Sequence, residues 1–427
     1  SNMFKYIVLF IVMTTIPFAQ IVSSIDIRGY QHTKEYVIKR EIQHPLHVQL
    51  DSTLAQADRT RIENLGIYSM VTWQAVPLED GSVKLRYHVI ESSRFFPMLA
   101  PSYEEDTGWS VVIGGIVKNV RGRNESLTIG GLIGGVDAYG FDFKNPWIFG
   151  DHVSLSLEVG KHFSNHVFLP YERQVSTFEI NIGRYFGYEK RINVGLEYEK
   201  KDFIGDSTTI EYYYFAPQGS FAYDTRDIYT DPSKGIYIFH SAQYYKYLDM
   251  ESRSLFWTQS YSAYASPIKG NRKTTVGANL TLNSIHGDLY KEMFMYGLGG
   301  GYSVRGWKIE TRNLYEQGKQ QYRFGFYSAI SSLELRQTII PRFAIEQPSP
   351  FGPVKSELGL QAVLFIDGGV AGDNWHDLSK ASPMYGAGLG VRIPAALAGI
   401  IRFDYGWSFY EGAAVESSFH FSVGQKF

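Results

Sequence analysis

The sequence predicts a transmembrane β-barrel of about sixteen antiparallel strands, preceded by one small α+β domain. Three observations carry that prediction. Period-two alternation of apolar and polar residues recurs through most of the chain after residue 98. Aromatic residues make up 15% of the 427 residues and are joined by 42 glycines, a composition suited to strands, tight turns and membrane-interface girdles. Beyond the N-terminus, no stretch reaches the ~18 apolar residues a spanning helix needs.

Charge and cysteine content narrow the field further. The 41 basic residues nearly cancel the 43 acidic ones, which argues against a bulk nucleic-acid binder. There is no cysteine, so disulfides and thiolate metal sites are excluded. Residues 1–19 read as a signal peptide behind a cloning remnant. Ser1-Asn2 precede Met3, Lys5 is the positive flank, and Tyr6 to Ile16 is apolar but too short to span a bilayer. Ala19-Gln20 is the expected cleavage point, with Pro17 an unusual neighbour.

Residues 20–92 form the expected small domain. Val22 to Ile27 alternates as a strand that ends at Gly29. Lys34 to Glu41 suits a short helix capped by Thr33. Asp51 is an N-cap for a second helix, with Leu54, Ala57, Ile62 and Leu65 on its apolar side and Gly66 at its end. Strands over Tyr68–Val76 and Ser82–Ile90 flank the hairpin signal Glu79-Asp80-Gly81. The order is β-α-α-β-β.

Residues 98–427 form the expected barrel. Val153, Leu155, Leu157 and Val159 alternate with Ser154, Ser156, Glu158 and Gly160. Ile192, Val194, Leu196 and Tyr198 alternate with Arg191, Asn193, Gly195 and Glu197. Val276, Ala278, Leu280 and Leu282 alternate with Thr275, Gly277, Asn279 and Thr281. Long strands with one apolar face and one polar or tiny face suit lipid outside and a wet lumen inside. Within this pattern, Gly299-Gly300-Gly301-Tyr302-Ser303-Val304-Arg305-Gly306-Trp307 sets one arginine on a glycine-rich loop. That guanidinium must sit in water or find an acidic partner. Asp367, in Phe365-Ile366-Asp367-Gly368-Gly369, is a candidate partner.

Two resemblances follow from these residues. Arg40-Glu41, Asn64-Leu65-Gly66-Ile67-Tyr68 and Tyr87-His88-Val89-Ile90-Glu91, in the β-α-α-β-β order, resemble a POTRA domain. That implies a periplasmic module able to add a polypeptide strand to its sheet edge. The second part resembles the BamA/TamA-like outer-membrane assembly superfamily. Phe221-Ala222-Tyr223-Asp224-Thr225-Arg226-Asp227, with Pro232 and Gly235, resembles the family's periplasmic-turn signature. Ser303-Val304-Arg305-Gly306-Trp307 resembles the tip of its sixth extracellular loop, with Trp where Phe or Tyr is usual. Ser332-Leu333-Glu334, Phe365-Ile366-Asp367-Gly368, Ile401-Arg402-Phe403-Asp404-Tyr405 and Phe419 to Phe427 resemble the strands that follow, in order.

The resemblance implies that the loop folds into the lumen, where Arg305 and Gly306 are held through Asp367 and Glu334. It implies that Asp224, Arg226, Asp227 and Gly235 shape a periplasmic turn, with Arg226 ion-paired to its flanking acids. It also implies a loosely closed seam between the first and last strands. Trp109 to Val117, with Gly114-Gly115, is the candidate first strand. Phe419, Phe421, Val423 and Phe427, on one face with Gly424 between them, are the candidate closing strand and terminal signal.

No catalytic or metal site is expected. Gly301-Tyr302-Ser303 lacks the second glycine of a nucleophile elbow, and there is no Walker-type loop. The close pairs His44 and His47, and His162 and His166, lack a zinc-hydrolase context. The expected function is insertion or export of polypeptides in the bacterial outer membrane, without ATP or cofactor. Unfolded outer-membrane or secreted clients, outer-membrane lipids and accessory lipoproteins are the expected partners. A dedicated secretion channel, an accessory barrel of a larger complex and a plain porin remain as alternatives.

Overall fold

The computed structural model describes residues 20–104, 107–149, 152–166, 169–288, 294–309, 317–348, 353–395 and 399–427. The expected signal peptide, 1–19, lies outside the described residues. The chain divides into two compact units, Ser1–Glu91 and Ser92–Phe427.

In the first unit, strand β1 (Val22–Arg28) is followed by helices α1 (Glu35–Lys39) and α2 (Ser52–Asn64), then by β2 (Tyr68–Pro77) and β3 (Val83–Glu91). The sheet order is β1-β3-β2, with β1 parallel and β2 antiparallel to β3. Asp51 caps α2 by accepting from the Thr53 and Leu54 amides at 2.9 and 3.0 Å. Thr33 does not cap α1, whose N-cap position is Lys34 without a side-chain bond. The Thr33 amide and hydroxyl instead donate to Glu91 at 2.8 and 2.5 Å, fastening the chain before α1 to the end of β3. The buried face of α2 is Ala55, Asp58 and Ile62. Asp58 accepts from the Gln43 and His44 amides, the Tyr87 hydroxyl and Arg61, so its carboxylate is a polar hub inside an apolar core.

The second unit is a transmembrane β-barrel built on one sixteen-stranded antiparallel sheet. Its first half comprises β4 (Phe95–Glu104), β5 (Gly108–Val120), β6 (Glu125–Gly134), β7 (Asp137–Asn145), β8 (Val153–Asn165), β9 (Glu172–Phe186), β10 (Lys190–Ile204) and β11 (Thr209–Asp224). Next come β12 (Gly235–Tyr247), β13 (Arg253–Ile268) and β14 (Thr274–Gly287). The long loop that follows carries a two-residue pair, β15 (Tyr296–Gly297) and β16 (Phe324–Gly325). The sheet resumes with β17 (Tyr327–Gln347) and β18 (Val354–Gly372), and after helix α3 (Trp375–Lys380) ends with β19 (Met384–Ala395), β20 (Gly399–Tyr410) and β21 (Ala413–Val423).

The wall is apolar outside and polar inside, the inverse of a soluble domain. Ile192, Val194 and Leu196 on β10 are exposed, while Glu197 and Glu199 are buried. On β20, Tyr405 and Trp407 are exposed while Arg402, Asp404 and Ser408 are fully buried. Lipid can accept the first set, and a barrel satisfies every backbone bond between strands except at a seam.

That seam lies between β4 and β21, which close the sheet order at opposite ends and lie side by side. Among the described residues no ladder joins them. Two expectations are corrected here. Trp109 to Val117 belongs to β5, so Gly114 and Gly115 sit on the second barrel strand, inside the wall. The closing strand stops at Val423, and Gly424 adopts φ +87°, a left-handed turn that glycine accommodates without strain. Phe427 is therefore not on the lipid face with Phe419 and Phe421. Its ring stacks on Tyr264 at 6.0 Å, and its carbonyl accepts from Arg336 at 3.3 Å.

Candidate functional site

The long loop between β14 and β17 returns into the barrel, and its tip rests on β18, β19 and β20. Gly299, Gly300 and Gly306 take positive φ, which lets the backbone double back at the tip. Gly386 on β19 allows the loop to lie flush on the wall, because a Cβ there would collide with the Arg305 carbonyl oxygen. Leu298, Val304 and Trp307 pack with Ala371 and Met384 as an apolar collar. The Trp307 indole donates to the Tyr385 carbonyl at 2.9 Å, and the Gly306 amide donates to His420 at 2.9 Å.

Inside the collar, Arg305 is completely buried. Its Nε and Nη2 grip the two oxygens of Asp367 at 2.8 and 2.9 Å, and its own amide donates to the same carboxylate at 3.0 Å. Nη1 donates to Glu334 at 2.5 Å and reaches Asp404 at 3.4 Å. The guanidinium also lies 3.7 Å from the centroid of the Phe365 ring. This is a fork-to-carboxylate geometry that lysine could not reproduce.

The structure thus brings Arg305, Asp367 and Glu334 together, and it adds residues the sequence reading did not assign. Arg392 bonds Asp404 at 2.7 Å and Glu334 at 3.3 Å. Arg336 bonds the second oxygen of Glu334 at 2.8 Å. Lys426, in the tail after β21, reaches Asp367 at 3.0 Å and Ser332 at 2.6 Å. Arg402 donates to the Gly301 carbonyl at 2.8 Å, and its guanidinium lies 4.6 Å from the Tyr302 ring. Four arginines and one lysine therefore surround three carboxylates in a buried site, where losing one partner strands another charge. The signal for Arg402 and Asp404 was their spacing of two, which puts both on the lumen side of a strand whose other face is Phe403 and Tyr405.

The turn motif lies between β11 and β12. Arg226 grips Asp224 through Nε at 2.8 Å and Nη2 at 2.6 Å, and stacks 4.1 Å from the Tyr237 ring. Asp227 accepts from the Ser233 amide at 2.8 Å and from the Ser233 hydroxyl, closing the turn before Gly235 at φ +107°. In the same turn, Asp231 accepts from Arg342, Gln361 and Gln425 at 3.0, 2.7 and 2.9 Å. The C-terminal tail is thus tied to both the turn and the charge cluster.

Comparison with known proteins agrees with this architecture. Residues 119–427 match the model of the Omp85 superfamily domain. Over 204 residues the chain is 26% identical to the outer membrane protein assembly factor BamA of Neisseria meningitidis serogroup B, covering 46% of this chain and 25% of that protein. The chain therefore spans about a quarter of the length of the curated relative it matches. Among solved structures, BamA from Haemophilus ducreyi lacking POTRA domains 1–3 superposes with a TM-score of 0.58 at 15% identity, covering 94% of this chain and 84% of that one. CdiB from Acinetobacter baumannii gives 0.53 at 13% identity, covering 95% and 74%. These identities speak to the fold.

Proposed function

Because the chain belongs to the Omp85 superfamily, we propose that it inserts or exports other polypeptides at the bacterial outer membrane, by strand pairing and without ATP. The observation that carries this reading is the seam, two neighbouring edge strands with no ladder between them. An open sheet edge in a bilayer leaves backbone groups unsatisfied, and an extended client strand can satisfy them. Arg305, Asp367 and Glu334 hold the loop against the wall beside that seam, and Asp224, Arg226, Asp227 and Gly235 shape the turn at the barrel's other end.

Residues 20–92 act as a POTRA domain in the periplasm, and residues 98–427 as the membrane barrel. The Leu78 amide donates to Ser82 at 2.9 Å, which fixes the phase of the β2–β3 ladder. Val71, Trp73 and Ala75 then direct their backbone groups away from β3. Arg59 takes the Val71 carbonyl at 2.8 Å, leaving the Trp73–Ala75 stretch to meet an unfolded client. Outer-membrane lipids and accessory lipoproteins complete the working assembly.

The test is reconstitution in liposomes with a urea-unfolded outer-membrane barrel as client. Accelerated client folding supports the insertase. Ion conductance without acceleration supports a dedicated secretion channel, and neither effect supports an accessory structural barrel.

A further inference from the structure

A polar hollow of about 290 Å³ opens in the lumen wall across β8 to β12, and none of its residues belongs to the charge cluster around Arg305. That volume lies at the small end of ligand cavities, roughly 300–1,000 Å³. Two asparagines and two glycines make its floor. On β9 and β10, Asn181 faces Gly195 and Gly183 faces Asn193, in a ladder without a bulge. A Cβ on Gly195 would collide with the side-chain oxygen of Asn181, and a Cβ on Gly183 with that of Asn193. Each asparagine therefore lies flat across the glycine opposite. Glycine inside a strand weakens it, and it often marks a bulge or a place of close approach. Neither glycine sits at a bulge or takes a positive φ, so the close approach of the two amides is what they permit.

The groups around this floor are mostly uncharged. Gln218 donates to Glu179 and Asn181 at 2.8 and 2.9 Å, and Asn193 donates to Ser220 at 3.1 Å. Glu179 accepts from Gln218 and Asn181 on one oxygen, which leaves its other oxygen without a partner among the described residues. Arg191 donates to Ser154 at 3.2 Å and leaves its Nε without one. Phe239 lines the same hollow, stacked on Tyr237 with ring centroids 6.1 Å apart. Alternation along β12 sets Phe239 on the lumen side with Ser241 and Gln243, where an apolar ring face gains nothing from water. Glu158 and Glu197 stand opposite Glu179 on either side, so carboxylates border the hollow and disfavour an anion.

We infer that this hollow binds a neutral saccharide ring. Each sugar hydroxyl is donor and acceptor at once, and so are the amides and hydroxyls that line the wall. The flat C–H face of the ring stacks on Phe239, and its hydroxyls bridge the asparagine floor to Glu179 and Arg191. Because the hollow faces the lumen and not the bilayer, the ligand is a soluble one. The inference is independent of the insertion reading, since it uses neither the seam nor a client.

The chain has no cysteine of its own, so Ser241→Cys is a clean reporter within the hollow. It is made in the full chain and reconstituted in phosphatidylethanolamine–phosphatidylglycerol liposomes, with maltotriose as the probe. Maltotriose should slow maleimide labelling of the reporter in a saturable way, and its anionic counterpart trigalacturonate should not. Gly195→Ala, which lifts Asn181 from the floor, should weaken that protection about fivefold, the effect of one neutral hydrogen bond. Phe239→Leu removes the flat ring and should weaken it about threefold, which keeps the test decisive if Gly195→Ala does not fold. No protection by maltotriose, or protection that neither variant alters, overturns the site. Equal protection by trigalacturonate overturns the choice of a neutral ligand. Protection by a urea-unfolded outer-membrane client but not by maltotriose makes the hollow a polypeptide contact and overturns the saccharide assignment. Client folding in the same liposomes reports on the insertion reading separately.

Discussion

Replacing Arg305 by alanine removes a buried cation from between Asp367, Glu334 and Asp404. Breaking one buried pair by deleting a partner costs about 3–5 kcal/mol, mostly because the other charge is stranded. Here the stranded groups keep other cations. Lys426 stays 3.0 Å from Asp367, and Arg336 stays 2.8 Å from Glu334. The cost therefore belongs at the low end, about 3 kcal/mol. For a barrel of this size that corresponds to a loss of about 5 °C or more in the temperature at which the folded band disappears on a semi-native gel. Arg305→Lys keeps the charge but not the fork, and should fall between wild type and alanine. The decisive measurement is the double-mutant cycle with Asp367→Ala. A coupling of about 2 kcal/mol is expected for two groups in direct contact. Additive single effects, or a heat resistance that Arg305→Ala leaves unchanged, would refute the idea that this pair fastens the loop.

Other expectations concern separate parts of the molecule. Gly386→Val should push the Arg305 carbonyl off the wall and make the 299–307 loop cleavable by added protease, whereas protection equal to wild type would show that the loop does not need this glycine. Asp58→Ala should strip four donors of their acceptor and destabilise the N-terminal unit by about 3 kcal/mol, read as faster hydrogen exchange over residues 35–62 in the full chain. Burial raises the Glu41 carboxyl to about 7, against the pull of Arg40 and Arg61. The folded unit then binds a proton the unfolded chain has released, so this contribution is complete below about 4.5 and is lost as pH rises through about 7. Exchange protection of the unit should fall over that window, and Glu41→Gln should flatten the fall. Glu91, held low despite its burial by Thr33 and the His32 amide, loses its contribution only at more acidic pH. An unaltered pH profile in Glu41→Gln would assign the dependence elsewhere.

The alternation of side chains along each strand made the barrel legible, because lipid and lumen impose opposite demands on successive residues. It failed at the true first strand. Pro97 and Pro101 interrupt the alternation in Phe95–Glu104, although an edge strand tolerates proline where its backbone faces no partner. The next clean alternation, in β5, took its place, and Gly114 and Gly115 were assigned to the seam with it. Phe427 misled for the opposite reason. It continues the spacing of Phe419, Phe421 and Val423, but one positive φ at Gly424 turns the tail inward. Arg305 and Asp367 stand 62 residues apart in sequence: the need of a loop guanidinium for an acid made Asp367 a candidate, and the resemblance narrowed the choice to it and Glu334. Arg392 and Lys426 were not legible, because the approach of Arg392 to Glu334 and Asp404 depends on strand register and that of Lys426 to Asp367 on the path of the tail after β21.

Asp367 has a consequence beyond holding the loop. The same carboxylate oxygen serves Arg305 at 2.8 Å and Lys426 at 3.0 Å, so the loop tip and the extreme C-terminus share one anchor. Two equilibria that draw on one group are thermodynamically linked, and the linkage is reciprocal. If withdrawing the tail from the lumen weakens the loop's hold by some factor, lifting the loop weakens the tail's hold by the same factor. A shift at the loop tip is thereby felt at the tail, and the reverse, through one shared carboxylate.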